Sequence, residues 1–348
     1  MTPQFVDFNA DGHIDMLAGT FGGVVQVAFG DGAHFAQPKT LVDASGDAIM
    51  MNAFWNRDEK KWDETHRCDP DGYEGKAHLT SAWATDWDGD GDLDLLLGDH
   101  DHKGRILLRR NEGSEKEAQF ATKNEFLDLG GKPLNAVGAV WTLCMRDWNG
   151  DGLEDLIVTT KDLPKHGEKA TEAVHVYLNE GSPKAPKLAA PTSIFSVQLG
   201  ELGSAPTGPA TGLYSYLVDF DADGDLDLAV GGASHWQPEG RTLTAEEVQV
   251  VADLRAQLES MDKEMSDFFN SLTEQAGDTS TDEGMERYKQ IWKEHEGAYS
   301  KLVTKRTKLQ ERLDALVPSP KRRTSVWLYE NLGAAASRPV EAGASKGK

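Results

Sequence analysis

The chain alternates between apolar segments and polar turns on two different periods. Up to about residue 235, and again over 322–333, the apolar segments are short and rich in Val, Leu, Ile, Trp and Tyr. SAWAT, DLLLGD, DLIVTT and VHVYLNEG are examples, and they read as partly or fully buried strands rather than amphipathic helices. Between 236 and 321 the period changes. Val251, Leu254, Leu258, Met261, Met265, Phe268 and Leu272 recur at alternating three- and four-residue steps. Tyr288, Trp292, His295, Tyr299, Leu302, Arg306, Leu309, Leu313 and Leu316 do the same. This heptad spacing predicts a helical hairpin with its turn at about 276–283. Thr244 with Glu247, and Ser280 with Glu283, form capping boxes, and Pro318 ends the second arm. The first arm is acidic and the second basic toward its end (Lys301, Lys305, Arg306, Lys308, Arg312), so the arms suit antiparallel pairing. A coiled coil satisfied within the chain and an arm for docking or self-association both fit this pattern.

The strand region is a repeat. Four acidic loops begin at Asp7, Asp86, Asp147 and Asp219, spaced 79, 61 and 72 residues apart. Before each loop lies a short strand (PQFV, SAWAT, TLCMR, LYSYLV) and after it a second (DMLAG, DLLLGD, DLIVTT, DLAVGG). A third follows an insert (VVQVAFG, RILLRRNEG, VHVYLNEG, VWLYENLG). A fourth closes the first three units (FAQPKTLVD, QFATKNEFLDLG, KLAAPTSIFSVQLG) and is not visible in the last. Repeated four-stranded antiparallel units are the plan of an all-β propeller, in which neighbouring sheets stack because none can bury both faces alone.

The loops carry the candidate chemistry. Each reads D-x-[DN]-x-D-G-x-x-D. Packing so many like charges into one turn makes sense if a cation joins them. Side-chain oxygens at positions 1, 3, 5 and 9 and a backbone carbonyl at 7 suit calcium, which takes several oxygens in irregular geometry. The ligand sets are Asp7, Asn9, Asp11, His13 and Asp15; Asp86, Asp88, Asp90, Asp92 and Asp94; Asp147, Asn149, Asp151, Leu153 and Asp155; and Asp219, Asp221, Asp223, Asp225 and Asp227. His13, Asp92, Leu153 and Asp225 would serve through their carbonyls. The glycine at position 6 permits the sharp turn. One such run is also readable as a solvated acidic turn; four, each followed by the same apolar segment, are hard to explain that way. An EF-hand does not fit, because the last ligand falls at position 9 and strands flank the loop.

The phrases DWDGDGDLDLLLGD, GRILLRRNEG and VHVYLNEGS resemble the FG-GAP/VCBS repeat family, the calcium-loop propellers also found in integrin α-chain heads. The resemblance covers about 1–235 and 322–333. It implies a calcium-loop β-propeller with about four Ca²⁺ sites, an exported or cell-surface setting, and a binding or adhesion role. The third loop departs from the pattern, with Glu154 where the others have apolar Ile14, Leu93 and Leu226. The resulting division is propeller blades one to four over 1–235, a helical hairpin over 236–321 inserted in the fourth blade, a final strand over 322–333 and a disordered tail over 334–348. Because family propellers usually have more blades, either N-terminal blades are missing or closure is unusual.

Composition narrows the function. A net charge of −22 argues against nucleic acid and anionic membranes, and four Ca²⁺ would bring it to about −14. No run has the length of a membrane span. Met1 leads almost at once into a strand, with no signal peptide in view, so the chain reads as cytosolic or as lacking an upstream segment. Cys68 and Cys144 are readable either as one disulfide or as two buried thiols. The long inserts (43–78, 161–172 and 236–321) all fall at the end opposite the acidic loops. That end is where a protein or glycan partner would bind, unless the inserts only cover an apolar end of the barrel. Asp99, His100, Asp101 and His102, with His235, resemble a transition-metal set, although histidines in polar turns are usually solvated. No nucleophile or nucleotide motif is present. The main reading is a non-enzymatic calcium-stabilised scaffold. The rival is a polysaccharide-active enzyme (lyase or glycosidase) whose Trp55, Trp62, Trp83, Trp141 and Trp236 stack on sugars, with core packing favoured for Trp83 and Trp141.

Overall fold

The computed structural model describes residues 3–331 except 21, 57–58, 60, 66–67, 72, 74–78, 101–103, 137, 162–170, 198–205, 237, 278, 280–281 and 320. Ser280, Asp101, His102 and the tail over 334–348 therefore lie outside the described residues.

Four antiparallel sheets carry the strand region. The first joins β1 (Gln4–Val6), β2 (Asp15–Gly19), β3 (Val25–Ala28) and β4 (Lys39–Thr40) in chain order. A separate two-stranded ribbon, β5 (Phe54–Asn56) and β6 (Lys61–Asp63), lies in the following connection. The second sheet joins β7 (Leu79–Thr85), β8 (Asp94–Asp99), β9 (Ile106–Arg109) and β10 (Glu125–Phe126). The third joins β11 (Ala139–Arg146), β12 (Asp155–Lys161), β13 (Glu172–Tyr177) and β14 (Thr192–Ser196). The fourth holds three strands, β15 (Thr211–Val218), β16 (Asp227–Trp236) and β17 (Lys321–Tyr329).

The second and third sheets bury both faces against their neighbours, which is why β8 and β12 are near-continuous apolar runs. In β8 the side chains alternate between two cores. Leu95 and Leu97 join Leu17, Val25, Val27 and Phe120 in the core shared with the first sheet. Leu96 joins Val140, Leu143, Ile157, Val174, Leu213 and Leu228 in the core that runs through the second, third and fourth sheets. Polar groups stitch the first strands of neighbouring sheets together. Gln4 exchanges two hydrogen bonds with the Ala84 backbone (2.8 and 2.6 Å), and Leu143 N donates to Ser81 Oγ at 3.0 Å.

Between the first two sheets lies a buried polar node. Arg109, with no solvent exposure, donates to Asn124 Oδ1 and Ala121 O (both 2.6 Å) and pairs with Asp43 Oδ2 at 3.5 Å. Asn124 in turn donates to the carbonyls of Met50 and Met51, and Cys68 Sγ lies 3.2 Å from Met50 O. Cys68 and Cys144 are both free and buried, which decides between the two expectations for them. Burial raises both thiol pKa values, that of Cys144 to about 12.

The chain divides into two compact units: Met1–Leu199 with Gly208–Ser234 and Arg323–Lys348, and Gly200–Thr207 with His235–Arg322. The second unit contains α1 (Ala245–Ala276) and α2 (Asp282–Asp314). The capping box at Thr244 and Glu247 forms as read from sequence, and Gly277 caps the other end of α1. The arms pack through Val251, Leu254, Leu258, Leu309 and Leu313 near the base. Toward the turn they pack through a ring cluster of Phe268, Phe269, Trp292, His295 and Tyr299. Asp262 and Arg306 bridge the arms at 2.6 Å. Among the described residues no helix is long and apolar enough to cross a membrane.

Candidate metal centre

Each acidic loop is the turn of a β-hairpin, and all four close in one register. The residue before the loop pairs with the loop's ninth: Val6 with Asp15, Thr85 with Asp94, Arg146 with Asp155, Val218 with Asp227. The backbone is left-handed at the sixth position, with φ of 89°, 100°, 87° and 98° at Gly12, Gly91, Gly152 and Gly224. It is left-handed at the fourth position as well, at Ala10 (51°), Gly89 (71°), Gly150 (73°) and Ala222 (62°). Sequence reading singled out the sixth position and missed the fourth, because alanine stands there in two loops.

This curl points amides at carboxylates. The first Asp accepts from the amides at positions 5 and 6 in the first three loops: Asp7 from Asp11 and Gly12, Asp86 from Asp90 and Gly91, Asp147 from Asp151 and Gly152. Asp219 accepts from Gly224 N at 3.2 Å. The fifth-position Asp accepts from the seventh amide in every loop, at 2.8–3.0 Å: Asp11 from His13, Asp90 from Asp92, Asp151 from Leu153, Asp223 from Asp225. For Asp11 this bond, with one from Asn9, holds the carboxyl below its usual pKa.

Positions 1, 3 and 5 converge. One ligand oxygen from each of Asp86, Asp88 and Asp90 lies within 4.8 Å of the others, and Asp219, Asp221 and Asp223 do the same. In the first and third loops the third residue is an amide, and Asn9 and Asn149 donate to Asp11 and Asp151 at 3.0 and 2.9 Å. In the second loop Arg110 holds Asp88 Oδ2 at 2.6 Å and also reaches Glu125.

The ninth position behaves differently. Asp15, Asp94, Asp155 and Asp227 are buried, and each carboxylate ties two backbone segments together. One oxygen accepts from the loop's second amide, at Phe8, Trp87, Trp148 or Phe220 (3.0–3.2 Å). The other accepts from the amide just beyond the third strand, at Gly30, Asn111, Asn179 or Asn331 (2.7–2.8 Å). Each oxygen retains a second lone pair for a cation. Burial pushes Asp94 up to about 7 and raises Asp155.

A cation fits this donor set. In the second and fourth loops the seventh side chains, Asp92 and Asp225, each keep a buried Oδ1 with no hydrogen-bond partner. Burial and the neighbouring Asp90, Asp88 and Asp86 push Asp92 up to about 6. Burial and the adjacent Asp223 and Asp227 raise Asp225. Carboxylates crowded until their pKa values rise are short of positive charge.

The third loop's Glu154 turns away from the loop and accepts from Thr85 Oγ1 of the second sheet at 2.8 Å, where Leu93 and Leu226 pack into the cores. Sequence reading also passed over the asparagines beyond the third strand. Asn111 Oδ1 accepts from Gly113 and Gln119, and Asn179 Oδ1 from Gly181 and Lys187. Asn179 and Asn331 donate back to the carbonyls of Glu154 and Leu226 at 3.3 Å. The repeated N-E-G phrase was the available signal. Of the histidine set, Asp101 and His102 lie outside the described residues, while His100 packs tilted against Trp141, 5.4 Å between ring centroids, and His235 is exposed. Trp83 packs in the core as expected, and Trp141 is half-buried with an unpartnered Nε1.

A family profile described as an FG-GAP-like repeat matches residues 86–158 and, again, 147–230. Over residues 86–230 the chain is similar to FG-GAP-like repeats. The two matches hold the second, third and fourth acidic loops, which share one hairpin register and in which the ninth-position carboxylate is a strut between two backbone segments. Integrin alpha-7 of Homo sapiens is 29% identical over 135 residues, 37% of this chain and 10% of the relative. Integrin alpha-7 of Rattus norvegicus is 28% identical over the same length and shares. The chain thus spans about a tenth of the length of these curated relatives. The FG-GAP-like match stops short of the first loop, which repeats the same hydrogen bonds nonetheless.

Proposed function

We infer that this chain is a calcium-stabilised β-propeller that serves as an extracellular or cell-surface binding scaffold. The single observation that carries the reading is the acidic loop repeated four times: three carboxylates converge in the second and fourth copies, and carboxyl pKa values are raised in the second, third and fourth, which leaves a deficit of positive charge there. The four stacked sheets support blade-like packing. The FG-GAP-like repeats and the integrin alpha-7 relatives support a surface setting and an adhesion-type role. One Ca²⁺ per loop would be held by the residues at positions 1, 3, 5 and 9 and the carbonyl at 7. A protein or glycan partner would use the end of the sheets opposite the acidic loops, and the helical hairpin offers a route to self-association.

Thermal unfolding in EDTA and in millimolar calcium tests the reading. A ligand at ten times its Kd adds about 1.4 kcal/mol per site, hence several kcal/mol over four. A large, EDTA-reversible rise in melting temperature is expected. A cooperative melt indifferent to calcium would refute the calcium sites and leave the loops as hydrogen-bonded turns.

A further inference from the structure

A cavity of about 400 Å³ opens between the second and third acidic loops, at the loop end of the second and third sheets. That volume is at the small end of ligand pockets. Its wall holds one cation, Arg146, at the end of β11. The guanidinium stacks on the Trp83 ring, 5.0 Å from the centroid, and its Nη1 donates to Met145 O at 3.0 Å. Among the described residues no carboxylate pairs with it. This contrasts with Arg109 and Arg110 of the second sheet, which pair with Asp43 and with Asp88 and Glu125. In a chain with 58 acidic and 36 basic residues, a rigidly held arginine without an acid is a vacancy for one. A planar guanidinium fixed by stacking keeps its remaining N–H fork for a carboxylate from outside. The rest of the wall suits a flat body, with the Trp87 ring, Pro183 and Pro186. Two acids line the same space, Asp86 and Glu154, the latter held by Thr85. They disfavour a second negative charge.

We propose that this cavity binds a small ring-bearing monocarboxylate, its carboxylate forked on Arg146 and its ring against Trp87 and the prolines. The site lies at the loop end, so it is separate from the partner surface proposed above, and either reading can fail without the other. The test is calorimetric and ligand-observed NMR titration of the full chain in calcium buffer. Benzoate represents an aromatic acid and glucuronate a sugar acid; benzamide and glucose are their uncharged counterparts, and phthalate is a dianion. At least one monocarboxylate binds at millimolar concentration or below, and its uncharged counterpart and phthalate bind roughly tenfold or more weakly. Which acid binds identifies the source. Arg146→Gln lowers affinity by roughly tenfold or more, and Arg146→Lys lowers it less, since it keeps charge but loses the fork. The calcium-dependent melt of each variant reports whether it folds, and if neither does, the acid and uncharged pair on the natural chain decides. No binding by either acid, equal binding of acid and uncharged counterpart, or full affinity in a folded Arg146→Gln variant overturns the proposal.

Discussion

Replacing Asp155 with asparagine separates the two roles of the ninth position. The carboxylate accepts Trp148 N at 3.0 Å and Asn179 N at 2.7 Å, and it has no solvent exposure. An asparagine keeps one acceptor oxygen and turns its NH₂ toward the other amide, leaving that buried donor unpaired. An unpaired buried donor costs about 1–3 kcal/mol. In a unit of this size each kcal/mol moves the melting temperature by about 2–4 °C, so the loss is roughly 2–12 °C. It appears in EDTA, because the strut does not depend on a cation. Asp147→Asn is the control: its amide contacts lie on an exposed turn, so its apo melt changes little while its calcium response weakens. The assay is a pair of melting curves, with EDTA and with calcium, for each variant. If Asp155→Asn melts like the natural chain in EDTA, the strut argument is wrong and the ninth position serves only as a ligand.

Calcium affinity at the second loop falls as pH drops from about 8 to 6, because Asp94 near 7 and Asp92 near 6 must give up protons to a cation. Calorimetry in two buffers of different ionisation enthalpy reads the protons released, and a pH-independent affinity contradicts the expectation. Without calcium the sign reverses. Raised carboxyls hold protons in the folded state that the unfolded chain, at about 3.9, has lost, so stability falls as pH rises through about 4 to 7. Ala222→Gly relieves a left-handed alanine at φ 62° and raises stability by up to about 1 kcal/mol, measurable as a denaturant midpoint; a loss would show that the backbone carries no strain there. Gly181→Ala destabilises strongly, since the new Cβ would lie 2.3 Å from Ala185 O, and an unchanged melt would mean that this turn yields freely. Arg109→Ala leaves Asp43 and Asn124 buried without their partner and costs about 3–5 kcal/mol in chemical denaturation; a cost under about 1 kcal/mol would show the node to be dispensable.

The repeat was legible because its signals are local. A loop of nine residues writes its ligands, its glycine and its flanking strands in one stretch, and the helical hairpin does the same through heptads and the Thr244 box. What escaped notice is written across distance. The partner of Asp155 is the amide of Asn179, 24 residues on, and nothing near Asp155 announces it. The same holds for the Arg109 node, whose members come from residues 43, 109, 121 and 124. The short ribbon of β5 and β6 was hidden because a three-residue strand carries too little alternation to stand out from an insert. Glu154 read as a departure from the loop pattern and proved to be the acceptor of a hydrogen bond from the neighbouring sheet, which is a property of the neighbour rather than of the loop.

The strut has a consequence for how the chain tolerates insertion. In the third sheet it links residues 24 apart; in the fourth, Asn331 reaches Asp227 across 104. For a flexible chain that extra length costs about 1.3 kcal/mol of closure entropy. A hairpin of two antiparallel helices escapes even this, because it returns its two ends to neighbouring points as soon as it folds. To the sheet, an excursion of nearly ninety residues then behaves as a short turn. The gap between β16 and β17 is therefore a cloning site: the helices can be lengthened, exchanged or cut back to a tight turn, and the carboxylate of Asp227 will still find its amide.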